Sequence, residues 1–380
     1  MPTVNDVVRE FGPDYLKLYG AKMLPSHLKA MAAMSDCRTE KMGSHLKTCA
    51  DCAYKHRIFH SCKNRSCPLC FFKQTQDWLD IQQEGLLPTH YFHVIFTLPS
   101  QLRAVVKRHQ KTLYPVLFKA AAESLQALAR DERYVGGKLG IMEVLHTWSG
   151  AMIYHPHLHC LIPGVGIAEN GEVVMAKKEF LVPVRALSAK FRGLFLQMAR
   201  EAVPGEDFSE GGDVKKWVVF SKPVETKNLE RVLNYLGRYL HRTAISNSSI
   251  LNIEDDAITF RYKKSTGADG KASWGVMKLK PMEFLRRFLQ HVLPKGMAKI
   301  RYYGFRASGA KKSMDHVRRT LTLMKYLLRP EEVEKKREPS PLKPMCCPQC
   351  GSFNWKEDME LSYTQIKQNK EVYDLRKQSP

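Results

Sequence analysis

Six of the ten cysteines crowd between residues 37 and 70, spaced Cys37-x11-Cys49-x2-Cys52-x9-Cys62-x4-Cys67-x2-Cys70, and nothing else in the chain restricts its folding as strongly. In a long chain such a cluster reads as metal binding, because disulfide frameworks belong to short secreted proteins. A C-x2-C knuckle bends two sulfurs toward one point, so two knuckles predict a tetrahedral zinc held by Cys49, Cys52, Cys67 and Cys70. Cys37, His45 and Cys62 remain; with His60 or His56 they could build a second zinc site, or they could be buried thiols and surface imidazoles. Four thiolates leave no position for a reacting water, so the expected role is structural, folding a module with few apolar residues. Lys55, His56, Arg57, Lys63, Asn64 and Arg65 lie between the knuckles and suit a phosphate backbone, with a solvated charge run as the plainer reading. Near the other end, Cys346, Cys347 and Cys350 offer three thiolates and no second knuckle, and are given no role.

The 380 residues include 60 Lys and Arg against 38 Asp and Glu, a formal charge of +22. That excess favours a polyanionic partner, since contact with phosphates releases condensed counterions. With 44% apolar and 10% aromatic residues the chain is not a disordered basic tail. No apolar run approaches the roughly 20 residues of a membrane span, and the first residues lack a signal-peptide pattern. The expectation is a soluble cytoplasmic protein, associated with the nucleoid through its partner.

Apolar spacing and breakers divide the chain into a helical segment at 1–35 (two short helices interrupted at Pro13 and Pro25), a zinc module at 36–88, a large domain at 89–325, and a linker with a cysteine-containing tail at 326–380. Within the large domain, Tyr91–Pro99 is aromatic and β-branched and reads as a strand, 110–130 as an Ala/Leu helix, and 138–147 and 157–163 as strands. Residues 225–242 read as a helix, and Pro281 can open another because its missing N–H would be unpaired there.

Two groups carry chemistry. On a strand, His157 and His159 of His155-Pro-His-Leu-His point to one face while Leu158 turns to the other, making a pair of ligands for a divalent cation; His155, before a proline, is expected on the incoming turn. On the helix Asn228–Arg242, Tyr235 and Tyr239 are four apart and share a face, while Leu229, Val232, Leu233, Leu236 and Leu240 already supply an apolar stripe. A phenol, with an unperturbed pKa near 10, needs nearby cations or a metal to attack a phosphodiester at neutral pH. Farther on, Arg286, Arg287 and the interleaved cations and aromatics of Lys295–Arg306, Arg301 among them, suit unpaired bases and their backbone.

The order of cysteine cluster, Phe96-Thr-Leu-Pro99 strand, His157-Leu-His159 and Tyr235-x3-Tyr239-x2-Arg242 resembles the HUH, two-tyrosine transposases of the insertion-sequence-91 family. Cys37-Arg-Thr-Glu, Ser61-Cys-Lys-Asn-Arg-Ser-Cys-Pro, Tyr239-Leu-His-Arg-Thr-Ala-Ile-Ser and Lys299-Ile-Arg-Tyr-Tyr-Gly304 share the likeness, which runs from about residue 10 to 325. The resemblance implies an α+β fold, in which an antiparallel-sheet HUH nuclease domain flanked by helices follows a small zinc-ribbon-like domain. It also implies an enzyme that nicks single-stranded DNA at a mobile-element terminus, a hairpin, through a 5′-phosphotyrosine, and transfers strands to a target by a rolling-circle-like route. Tyr235 and Tyr239 would be nucleophiles, and His157 and His159 ligands of Mg²⁺ or Mn²⁺, with Glu143 or His93 as the third ligand. Arg65, Arg238, Arg242, Arg286, Arg287 and Arg301 are the expected DNA contacts. Ser66 stands where the family commonly has histidine, which weakens a second zinc site. A replication initiator or relaxase with the same chemistry, and a non-catalytic zinc-dependent regulator, are the rival readings.

Overall fold

A computed structural model describes residues 1–213, 217–240, 244–266, 272–328 and 345–368. The expected linker at 331–344, Arg242, and the side chains of Arg238 and Tyr239 lie outside the described residues. The chain opens with helices α1 (Val4–Tyr19) and α2 (Pro25–Asp36), strands β1 (Ser44–Cys49) and β2 (Lys55–Phe59), helix α3 (Phe72–Glu84) and strand β3 (Tyr91–Thr97). It continues through α4 (Arg103–Arg108), α5 (Gln110–Ala129), β4 (Lys138–Trp148), β5 (Tyr154–Pro163), β6 (Val165–Ile167), β7 (Val173–Met175) and α6 (Val184–Ala202). Then come α7 (Ser209–Asp213), β8 (Val219–Val224), α8 (Thr226–Leu240), β9 (Ile250–Glu254), β10 (Ala257–Thr266), β11 (Ala272–Leu279) and α9 (Pro281–Leu289). The last elements are β12 (Ile300–Gly304), α10 (Lys311–Leu328), β13 (Trp355–Leu361) and α11 (Tyr363–Gln368). The fold is α+β with antiparallel sheets, as expected. Pro281 does open α9, but Pro13 lies inside α1 without ending it.

The elements form two compact units that interleave along the chain. One comprises the described residues of Met1–Phe72, His241–Val292 and Lys336–Pro380. In it β2, β1 and β13 form a sheet in which the tail strand β13 pairs with β1, and β9, β10 and β11 form another, with α9 adjoining β10. A capping box starts α1: the Asp6 amide donates to Thr3 Oγ1 at 3.2 Å and the Thr3 amide to Asp6 Oδ2 at 2.9 Å.

The second unit comprises the described residues of Lys73–Leu240 and Leu293–Lys335. Its antiparallel sheet runs β7-β6-β4-β5-β3-β8, with β12 also paired to β4. Side-chain alternation divides this sheet into two chemically distinct faces. Phe92, Val94, Phe96, Leu139, Ile141, Leu145, Leu158, Cys160 and Ile162 form a dry core with Leu113, Leu117, Phe118 and Leu125 of α5 and Phe191 and Phe195 of α6. On the other face Tyr91, Met142, Val144 and Leu161 pack under Leu229, Leu233 and Leu236 of α8 and Leu79 of α3. The i, i+4, i+7 spacing of those three leucines is the stripe that seats α8. Gly237 lets α8 and α3 approach: a Cβ there would stand 2.6 Å from Leu79 Cδ2.

Candidate active site and metal centres

The sheet face under α8 gathers four imidazoles. Cross-strand register sets His146 opposite His157 and Val144 opposite His159 between β4 and β5, and Ile95 opposite His159 between β3 and β5, so His93, His146, His157 and His159 share one face. Ligand atoms of His146, His157 and His159 lie within 4.8 Å of one another. The His146 and His159 rings are 4.3 Å apart, and His157 is 5.0 Å from His159. His155 belongs to β5 itself and not to a turn before it, and its carbonyl accepts a hydrogen bond from His157 Nδ1 at 2.7 Å. Arg103 in turn donates to His155 Nδ1 at 2.7 Å.

His93 is 2.8 Å from His159, Nε2 to Nδ1. It therefore fixes the His159 ring and is not one of the trio. The tautomer that leaves a lone pair on His159 Nε2 has Nδ1–H donating to His93, and that Nε2 is buried with no hydrogen-bond partner among the described residues. Burial keeps the imidazoles uncharged: His93 and His157 are pushed down to about 4, and His146 and His159 well below the usual histidine range, with neighbouring imidazoles adding to the effect. Neutral, clustered nitrogen donors, one of them orphaned, fit a divalent transition ion.

Glu143, offered with His93 as the third ligand from the sequence, lies on the opposite face of the sheet from the histidines. It pairs with Cys160 and Arg301, points toward α5, is fully buried, and has its pKa raised well above the carboxylate range by desolvation. Its register with the histidines is odd where a ligand's would be even. His146 is the third donor beside His157 and His159, and it was missed although it stands two residues before the end of β4 and His157 three after the start of β5, an irregularity between His146 and Trp148 making up the difference. Tyr235 of α8 lies against the cluster, its ring 5.5 Å from His159 and 6.0 Å from His146. Lys299, almost buried, lies 5.9 Å over the Trp148 ring and adds positive charge next to His146.

The expected DNA contacts divide differently. Arg286 and Arg287 both bind Glu283, at 2.6 and 2.7 Å. Arg301 lies over Phe118 at 4.8 Å on the face away from the histidines. Arg65 is half-buried, and that burial lowers its pKa.

The cysteines form two four-thiol groups, neither of them the expected Cys49, Cys52, Cys67 and Cys70. Cys37, Cys62, Cys67 and Cys70 gather in one; Cys49 and Cys52 join Cys347 and Cys350 in the other. Near neighbours sit 3.6 Å apart, among them Cys37–Cys70, Cys62–Cys70, Cys49–Cys350 and Cys52–Cys347. That is too long for a disulfide, and a zinc tetrahedron with bonds of about 2.3 Å has edges of about 3.8 Å. Hydrogen bonds from Cys62 and Cys67 pull the Cys37 thiol down to about 7. Buried Asn5 of α1 donates to Cys67 Sγ at 3.3 Å. The tail, read as lacking a second knuckle, finds one in Cys49 and Cys52, and its own turn repeats theirs: Ala53 (φ 58°) donates to the Cys49 carbonyl at 3.0 Å, and Gly351 (φ 75°) to that of Cys347 at 2.8 Å. His45 belongs to neither group.

Residues 7–98 match the family described as "Transposase zinc-binding domain", and residues 140–314 the one described as "Putative transposase". The "Putative transposase y4qJ" of Sinorhizobium fredii is 38% identical over 323 residues, 80% of each chain. The chain belongs to the insertion-sequence-91 type of transposases. A second relative of this transposase, the "Transposase for insertion sequence element IS801" of Pseudomonas savastanoi pv. phaseolicola, is 27% identical over 299 residues, 74% of this chain and 70% of its own. No solved structure matches. The zinc-binding match and the two cysteine groups together support structural zinc in this transposase. Among the described residues no helix is long and apolar enough to cross a membrane.

Proposed function

We propose that this transposase cuts single-stranded DNA at a mobile-element terminus with the phenol of Tyr235 as nucleophile. The observation that carries the reading is the packing of the Tyr235 ring against His146 and His159. Tyr235 Oη attacks the scissile phosphorus and gives its proton to solvent, and the P–O3′ bond breaks so that the leaving 3′-oxygen takes a proton from solvent, giving a 3′-hydroxyl and a 5′-phosphotyrosine. The phosphotyrosine keeps the bond energy of the diester, so a 3′-hydroxyl can reverse the attack and join a new strand. His146, His157 and His159 would hold the divalent cation. Imidazoles favour a transition ion, which puts Mn²⁺ ahead of Mg²⁺. When bound, that ion withdraws charge from the phosphate oxygens. Lys299 adds fixed positive charge beside the same phosphate, and His93 and the His155 carbonyl hold two of the imidazoles in their ligating orientation.

Tyr239 follows one turn along α8 and is the proposed second nucleophile, which allows a second cut while the first end stays attached. A replication initiator would share this chemistry; membership of a transposase family favours strand transfer between sites. The test is a labelled single-stranded hairpin incubated with the protein and Mn²⁺, then resolved under denaturing conditions. A covalent adduct that Tyr235→Phe removes is expected. Tight binding without an adduct under any divalent ion would overturn the reading in favour of a regulator that only binds.

A further inference from the structure

A third set of metal donors lies in the unit that holds the cysteine groups, on residues neither group uses. His45 is directly opposite Glu360 in the antiparallel β1–β13 ladder. The β1–β2 ladder, which pairs Ser44 with Phe59, is extended by a 3.0 Å hydrogen bond from the His60 amide to the Gly43 carbonyl. Residues opposite one another, and those two apart, share a face, so the imidazole of His45 on β1, the carboxylate of Glu360 on β13 and the imidazole of His60 just past β2 converge on one side of the sheet. Their ligand atoms lie within 4.8 Å of one another, and the two imidazole rings are 4.4 Å apart.

A further observation points to a ligand. His60 Nε2 is buried with no hydrogen-bond partner among the described residues, a costly state for a polar nitrogen. Gly43, at φ +75°, lets β13 approach the hairpin: a Cβ there would stand 2.7 Å from the Leu361 carbonyl.

We propose that His45, His60 and Glu360 bind a third transition-metal ion of the zinc class in this unit, clipping the tail strand β13 to the β1–β2 hairpin. Two histidines and one carboxylate are a donor set that zinc accepts with a position left open, whereas the four-thiolate groups are closed. His45 and Glu360 are exposed, so water completes the sphere and the ion exchanges readily. Imidazole donors select Zn²⁺, Co²⁺ or Ni²⁺ over Mg²⁺.

The experiment adds Co²⁺ to the full-length, zinc-loaded protein carrying His157→Ala and His159→Ala, which silences the histidine cluster of the other unit. A d–d absorption band without thiolate charge transfer, saturating at one ion per chain, is expected. It should vanish with His45→Ala and His60→Ala, and Glu360→Gln should weaken cobalt binding at least about tenfold while both histidines remain. Zinc counted per chain before cobalt is added checks that the thiolate sites survive these changes. An unaltered cobalt isotherm in the His45→Ala, His60→Ala protein, or no band in its parent, would overturn the proposal.

Discussion

Replacing His93 by alanine tests whether the imidazole cluster works as a metal site with an oriented ligand. The 2.8 Å contact to His159 Nδ1 joins two rings that burial keeps neutral. Without it a buried N–H loses its acceptor, a loss of about 1–3 kcal/mol, and His159 is free to change tautomer. Loss of an outer-sphere partner typically lowers metal affinity by about 10- to 100-fold, or roughly 1.4–2.7 kcal/mol, so the two routes agree. The Mn²⁺ concentration for half-maximal adduct formation should therefore rise about 10- to 100-fold. Adduct yield at saturating Mn²⁺ should stay near that of the unaltered protein, and His93→Gln, which keeps an acceptor, should recover part of the loss. Half-saturation within twofold of the unaltered protein would refute the orienting role. Abolition that no Mn²⁺ concentration rescues would instead make His93 a ligand.

Glu143→Gln should leave Mn²⁺-dependent adduct formation intact, because the carboxyl is on the other face of the sheet. It should also raise Tm at neutral pH: the native pKa lies above the unfolded value, so ionisation favours the unfolded chain, and the gain should disappear below about pH 4. An activity loss in this variant would return the acid to the metal site. Cys347→Ser with Cys350→Ser should remove one zinc of the two thiolate sites and leave the other, read by elemental analysis; loss of neither would separate the tail from zinc binding. In protein without added Mn²⁺, His93 and His157 titrate near 4 when folded and near 6.5 when unfolded. The unfolded chain then binds more protons across that window, so stability is full above about pH 6.5 and falls toward pH 4, by at most about 3 kcal/mol per imidazole. Amide protection in β4 and β5 should drop accordingly, and protection independent of pH would contradict the buried, neutral state of these rings.

Much of the local structure was legible. The β-branched run at 91–97, the alternation of His157 and His159 about Leu158, the leucine stripe of α8 and the helix-opening Pro281 all rest on periodicities of two or 3.6 residues, or on one residue's backbone chemistry. These are properties of neighbours in the chain. Partners across strands were less visible: Glu143 has a ligand's chemistry on the strand next to His157 and His159, but register turns it to the other face and brings His146 forward, since a shift of one residue reverses a strand's faces.

The sequence by itself determined which donors this transposase owns, namely a run of thiols, paired imidazoles and a tyrosine helix, because residue types and short spacings are written in the chain. Only the tertiary structure decided which of them meet. Cys49 and Cys52 are completed by Cys347 and Cys350, which lie 295 and 301 residues away from their near neighbours, and the sulfur–sulfur spacing of 3.6 Å is reached because β13 pairs with β1. Convergence of that kind depends on strand pairing over long separations, whose closure entropy grows slowly with length and which leaves no period in the sequence.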